Sequence, residues 1–204
     1  KEADFYIKGD KVQTSVKDFK MRVNDALERV VNMVFHKLNY ITAPKDDIDI
    51  RNLLKKDHDN IISLDVDVIE NEFAIKEVTD FIRLKTQGHS RISMKVIKDR
   101  FSSAPYGYTD TDIEWIVTKA FRNDRVSLFV NGEAVSLLTE TTEKLFDYLT
   151  KKAYTEKLML EEKENISARL KKSLKDVSLE LFDTSILTTD TDGMIYEFLQ
   201  SSKK

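Results

Sequence analysis

The 204-residue chain contains no cysteine, which removes disulfide scaffolds, thiolate zinc sites and thiol nucleophiles from consideration. Apolar residues at 41% and charged residues at 34% suit a chain that buries a core, as one large domain or two small ones, and argue against disorder. A net charge of −3 weighs against duplex binding, because domains that bind DNA draw affinity from the phosphates they neutralise.

The first periodic segment runs from about Ser15 to Asn39. Val16, Phe19, Val23, Leu27, Val30, Val34 and Leu38 recur at steps of three and four, predicting one apolar stripe on a helix capped by Thr14 or Ser15. Pro44 marks its exit, and Ile48 to Lys56 adds a short helix. Lys55 to Glu70 is first acidic and aperiodic and then partly alternating, which reads as a connection with an edge strand.

A denser pattern begins at Asn71. Asn71 is placed to cap a helix that carries Ala74, Val78, Phe81 and Ile82 inward and stops at Gly88. Arg91-Ile92-Ser93 reads as a short strand, and Ser93 as the cap of a second helix with Val96, Ile97 and Phe101, ending before Pro105. After Tyr106-Gly107-Tyr108, Thr109 or Thr111 caps a third helix, with Asp112 and Glu114 placed for a capping box and Ile113, Trp115 or Ile116, Val117, Ala120 and Phe121 inward. Val126 to Val130, then Asn131-Gly132, then Ala134 to Leu138 is a hairpin signal, because a type I′ turn needs positive φ at both central positions. Helix, strand, helix, turn, helix and hairpin is the order of a winged helix-turn-helix. The expected fold class is therefore mainly α with a small β component (α+β), a winged module over 71–138 flanked by helical segments at 1–70 and 139–204.

Beyond the hairpin, Glu140 to Lys151 reads as a helix presenting Leu145, Phe146 and Leu149, and Leu158 to Leu160 as a strand. The last long helix, about Lys163 to Phe182, spaces Ile166, Leu170, Leu174, Val177 and Leu181 by four, four, three and four, a narrow seam suited to one partner helix. Its start reads as acidic and its middle as basic, the sense that a helix dipole favours.

The search for chemistry returns no constellation. The five glycines, at 9, 88, 107, 132 and 193, are isolated, so no phosphate cradle or dinucleotide fingerprint exists, and no cofactor is expected. His36, His58 and His89 lie far apart; His58 between two aspartates reads as a solvated acidic loop and His89 beside Ser90 as a turn. Aligning Gly193 with the glycine of a calcium loop puts Thr188 and Leu199 at obligate ligand positions, which excludes that loop and makes Asp192 a cap for a helix over Met194 to Leu199. On the third helix, Asp110, Asp112 and Glu114, with Asp124 just beyond, outnumber Lys119 and Arg122, and the wing tip Asn131-Gly132-Glu133 offers no cation, so groove reading through this face is disfavoured.

Certain segments taken together resemble a known family. They are Phe5-Tyr6-Ile7 before a long helix to Leu38-Asn39-Tyr40-Ile41; Arg100-Phe101 with Pro105-Tyr106-Gly107-Tyr108; Ala120-Phe121 with the strand Val126 to Val130; Leu149-Thr150-Lys151-Lys152; Leu158 to Glu164; and Leu181-Phe182. Over residues 5–183 the chain resembles the C-terminal half of the large P-loop ATPases of BREX phage-defence systems, BrxC or PglY. The family form of the turn is proline-tyrosine-glycine-tryptophan; Tyr108 stands at the tryptophan position.

The resemblance implies a role in restricting phage DNA replication within a multi-subunit complex, with the nucleotide site in an N-terminal region of which this sequence shows nothing. The expected function is thus a non-catalytic region that assembles with partner subunits or couples nucleotide-driven motion to DNA. Pro105, Tyr106, Gly107, Tyr108 and Trp115 are the candidate interaction residues. The alternative is a stand-alone DNA-binding regulator that uses Lys95, Lys98, Arg100, Lys119 and Arg122. No run approaches the ~20 apolar residues that cross a bilayer, and Lys1-Glu2-Ala3-Asp4 begins no signal peptide, so a cytoplasmic location without membrane contact is expected. The non-methionine start reads as that of a segment from a longer polypeptide.

Overall fold

The computed structural model describes residues 4–13, 17–55, 70–88, 90–163, 167–188 and 191–203. At the N-terminus a small hairpin, β1 (Tyr6–Ile7) and β2 (Asp10–Lys11), precedes helix α1 (Phe19–Val34). Asp18 caps α1 by accepting from the Met21 amide at 2.9 Å; the expected caps Thr14 and Ser15 lie outside the described residues. The apolar stripe is real but is not an inner face. Ala26 is the helix's buried residue, while Phe19, Leu27, Val30 and Val34 are exposed.

A 3₁₀ turn (Leu38–Tyr40) leads to α2 (Asp47–Leu54), where Asp46 and Asp49 form a reciprocal capping box. Of the expected connection with an edge strand, residues 56–69 lie outside the described residues.

The winged module follows in the expected order: α3 (Glu72–Lys85), β3 (Ile92–Ser93), α4 (Met94–Phe101), α5 (Asp110–Arg122), β4 (Val126–Val130) and β5 (Glu133–Val135). Val130 pairs with Glu133, so Asn131 and Gly132 alone form the turn, with φ of 54° and 87°, the positive pair that type I′ requires. Helix α6 (Thr142–Thr150), capped by Thr141, then leads to β6 (Leu158–Glu162).

Strand β6 changes the sheet. Its order is β3-β6-β4-β5, with antiparallel pairing throughout, so β6 lies in the middle and pairs along all five residues of β4. Its alternating burial, with Leu158 and Leu160 fully inside, turns one sheet face onto the helices. The wing is therefore joined to the first strand through a segment that follows Leu138, where the sequence reading closed the module. Thr86 ties β6 to the end of α3, its hydroxyl accepting from the Glu162 amide at 3.1 Å.

Two capping expectations are corrected. Asn71 adopts the left-handed region at φ 59°, which turns its side chain away from the α3 amides. Its Oδ1 accepts instead from the Thr42 and Ala43 amides at 2.8 and 2.9 Å, and its Nδ2 donates to the Ala43 carbonyl. Asn71 is thus a buried brace between α3 and the segment before α2. At the other end of the chain, α7 spans Ala168–Phe182 and α8 Thr191–Ser201. Helix α8 begins at Thr191, so Asp192 falls within the helix and not at the boundary expected ahead of Met194. Helix α7 starts five residues later than expected, so its first turn contains no acid and its last turn no base, the reverse of the favourable dipole arrangement.

Candidate functional site

The aromatic turn and α5 form one packed block. Phe101, Tyr106 and Tyr108 are 0%, 4% and 2% exposed, with ring centroids 4.5 to 5.9 Å apart, and Phe81 meets Phe101 edge-on. Gly107 adopts φ +70° beneath the Phe35 ring, and a Cβ there would lie 2.7 Å from Phe35 Cδ1. The backbone closes the same junction, since the Lys37 amide donates to the Pro105 carbonyl at 3.0 Å. The Lys37 ammonium donates to Glu77 at 2.6 Å and sits 5.1 Å from the Tyr106 ring centroid, while the Tyr106 hydroxyl donates to the other Glu77 oxygen at 2.7 Å. Burial alone would raise the Glu77 carboxyl, but hydrogen bonds from Lys37 and Tyr106 outweigh it and hold the group below its ordinary pKa. Pro105, Tyr106, Gly107 and Tyr108 thus form a socket that receives the chain leaving α1. Of the candidate interaction residues, Tyr106, Tyr108 and Trp115 are buried in the core, at 4%, 2% and 7% exposure.

Helix α5 is covered on nearly every side. It packs against α2, α3, α4, α6 and β4. Ile113, Ile116, Val117, Thr118 and Ala120 are fully buried and Trp115 is 7% exposed. Each of the large side chains contributes about 1.5–3 kcal/mol by leaving water. Even the acids expected to face solvent are inside, with Asp112 and Glu114 at 4% and 5% exposure. Asp112 Oδ1 accepts from the Lys45 amide at 2.9 Å, and the Lys45 ammonium lies 5.0 Å from the Trp115 ring centroid. Arg122 donates to the Leu53 and Lys55 carbonyls at 2.6 and 2.8 Å, fastening α5 beneath the end of α2.

The five candidate DNA contacts do not converge. Lys98 is buried and pairs with Glu114 at 2.5 Å and Asp110 at 3.3 Å. Arg122 is engaged as above and Lys119 is half-buried. Lys95 and Arg100 remain exposed on α4, with Lys95 beside Asp99 at 3.3 Å and Arg100 against the Tyr106 ring at 5.3 Å. Burial, the largest influence, raises the Glu114 carboxyl above its ordinary pKa despite the Lys98 hydrogen bond that opposes it. Among the described residues no group of three or more histidines, cysteines or acids is placed to hold a metal, and no helix is long and apolar enough to cross a membrane.

This arrangement of three helices and a ribbon, with an added helix and strand, has a counterpart among protein families. The family described as the BREX ATP-binding protein BrxC winged helix-turn-helix domain matches residues 37–164, more than half of the chain. The chain belongs to this BrxC winged-helix family. The match begins at Lys37, which enters the aromatic socket, and ends just past β6, so it takes in both the helix that covers α5 and the strand that completes the sheet. No solved structure matches the chain.

Sequence reasoning missed Phe35, Lys37, Lys45 and Glu77 and gave Asn71 a capping role, although these residues assemble this BrxC-type core. Their partners lie 28 to 72 residues away, as in Lys37 with Glu77 and Phe35 with Gly107, and no local period marks such pairs. The one local hint was Phe35, a large apolar residue inside the predicted helix that is not part of its stripe.

Proposed function

We propose that this chain is a non-catalytic interaction region of a larger BREX-type anti-phage ATPase, whose winged-helix module serves assembly with partner subunits and does not read duplex sequence through α5. The observation that carries this reading is the enclosure of α5, the helix a winged module would lay in a major groove, under α2 and α6. Major-groove contact would require α2 to leave, breaking the Arg122 and Asp112 hydrogen bonds and exposing Ile50 and Leu54, which are 0% and 1% exposed. The exposed apolar face of α1 supports a docking role, since a protein seldom leaves such a patch in water without use. Coupling of nucleotide-driven motion to DNA then passes through the assembled complex. What supports module limits near 37–164, in place of 71–138, is that β6 joins β3 to β4 and that α2 packs on α5.

Binding of the chain to a fluorescent duplex at low and high salt tests the proposal. Weak binding with a shallow dependence on salt is expected, unchanged by Lys95→Ala or Arg100→Ala. Tight binding with a steep salt slope that these substitutions reduce would overturn it in favour of a DNA-binding regulator.

A further inference from the structure

We propose that α7 is a self-association element, pairing antiparallel with α7 of a second copy of this chain through Leu170, Leu174, Val177 and Leu181. This rests on observations separate from those behind the functional reading above. Helix α7 meets α8 through one side, where Ser178 is buried and Phe182 packs edge-on to Phe198 at 5.4 Å. At 100° per residue the seam lies about a quarter-turn round from that side. It is open: Leu170, Val177 and Leu181 are 62%, 39% and 67% exposed, and Leu174 is half-buried. Spacings of four, three and four are those of a coiled-coil seam, for which this chain supplies no second helix among its described residues.

Two features select the occupant and its direction. The spacing reads the same from either end, so an antiparallel copy keeps every layer in register, with Leu170 against Leu181 of the second copy and Leu174 against its Val177. The charges are divided by half. Arg169, Lys171, Lys172 and Lys175 occupy the N-terminal half with no acid, and Asp176 and Glu180, followed by Asp183 at the cap, occupy the C-terminal half with no base. Antiparallel pairing lays each basic half on an acidic half, whereas parallel pairing sets like on like. The same division opposes the macrodipole of α7 itself, a cost to the lone helix that the opposite end of a second copy offsets. The contact is isologous, as a two-fold dimer requires. A 15-residue helix of about 22 Å makes a small interface, so the dimer is weak and reversible.

The native chain has no cysteine, so introduced thiols report contacts without background. Leu170→Cys and Leu181→Cys chains are mixed and oxidised, each is oxidised alone, and Leu187→Cys, at an 83% exposed position, measures collisional coupling. The expected result is rapid disulfide-linked dimer in the mixture only, together with a sedimentation mass that rises toward twice the monomer with concentration and falls with salt. Both seam positions are exposed, so circular dichroism should be unchanged in either variant. A chain monomeric at every concentration, with mixed coupling no faster than the Leu187→Cys control, overturns the proposal. So does efficient coupling of either seam variant with itself, which would signal parallel pairing.

Discussion

Tyr106 and Tyr108 lie in one aromatic cluster yet should respond oppositely to the loss of a hydroxyl. The Tyr106 hydroxyl donates to Glu77 at 2.7 Å, and the carboxylate is held from its other side by Lys37. The Tyr108 hydroxyl is buried and finds no hydrogen-bond partner among the described residues. Burial and the Glu77 carboxylate both raise its pKa, so it stays neutral and serves as a stranded donor. A buried unsatisfied polar group costs about 1–3 kcal/mol, and a typical hydrogen bond contributes about 0.5–1.5 kcal/mol. Tyr108→Phe should therefore stabilise the chain by about 1 kcal/mol once the small loss of packing is allowed for, and Tyr106→Phe should destabilise it by about 1 kcal/mol. At this chain length each corresponds to a Tm change of about 2–4 °C. Urea melts of the two variants beside the parent chain measure both. A Tyr108→Phe chain weakened as much as Tyr106→Phe would refute the reasoning, because its hydroxyl would then be bonded.

Three further outcomes are expected. Gly107→Ala should lower stability by about 2–4 kcal/mol in a denaturant melt, since φ +70° disfavours a Cβ that would also meet Phe35 at 2.7 Å; adding Phe35→Ala should relieve the steric part and leave the backbone part. Asp124 is pushed up by burial but brought below its ordinary pKa by hydrogen bonds from Lys163 and Thr191. Its contribution is thus fully present above about pH 4, the unfolded aspartate value, and is lost as pH falls through the lower folded value; Asp124→Asn should reduce stability at neutral pH and flatten the acid limb, as read by melts across pH. Arg122→Ala should speed amide exchange in α2 more than in α5, because the side chain holds the Leu53 and Lys55 carbonyls at the end of α2 while α5 remains covered by α3, α4, α6 and β4.

The parts legible in the sequence are those specified by neighbours. Asn131-Gly132 announced its hairpin because only certain residues tolerate two positive φ angles in succession. The spacing of Ile113, Ile116, Val117 and Ala120 marked the inner side of α5. The same reasoning assigned Asp112, Glu114 and Lys98 to solvent because it prices a charge by type, whereas burial here depends on a partner, Lys98 for Glu114 and the Lys45 amide for Asp112. The α1 stripe fitted helical period well and still does not face a core, since amphipathicity sets which side is apolar and not what covers it. Strand β6 was recognised as a strand, but its central place depends on pairing with residues more than 25 positions earlier, and strand order leaves no trace in a two-residue alternation.

The central claim is that α5 is enclosed, and Trp115, the single tryptophan, reports on it directly. Acrylamide quenching of its fluorescence, measured with and without duplex DNA, should be several-fold weaker than for a free indole and unchanged by the DNA, since the residue is 7% exposed beneath Lys45. Quenching as efficient as that of free indole, or protection that appears only on adding duplex, would contradict the account.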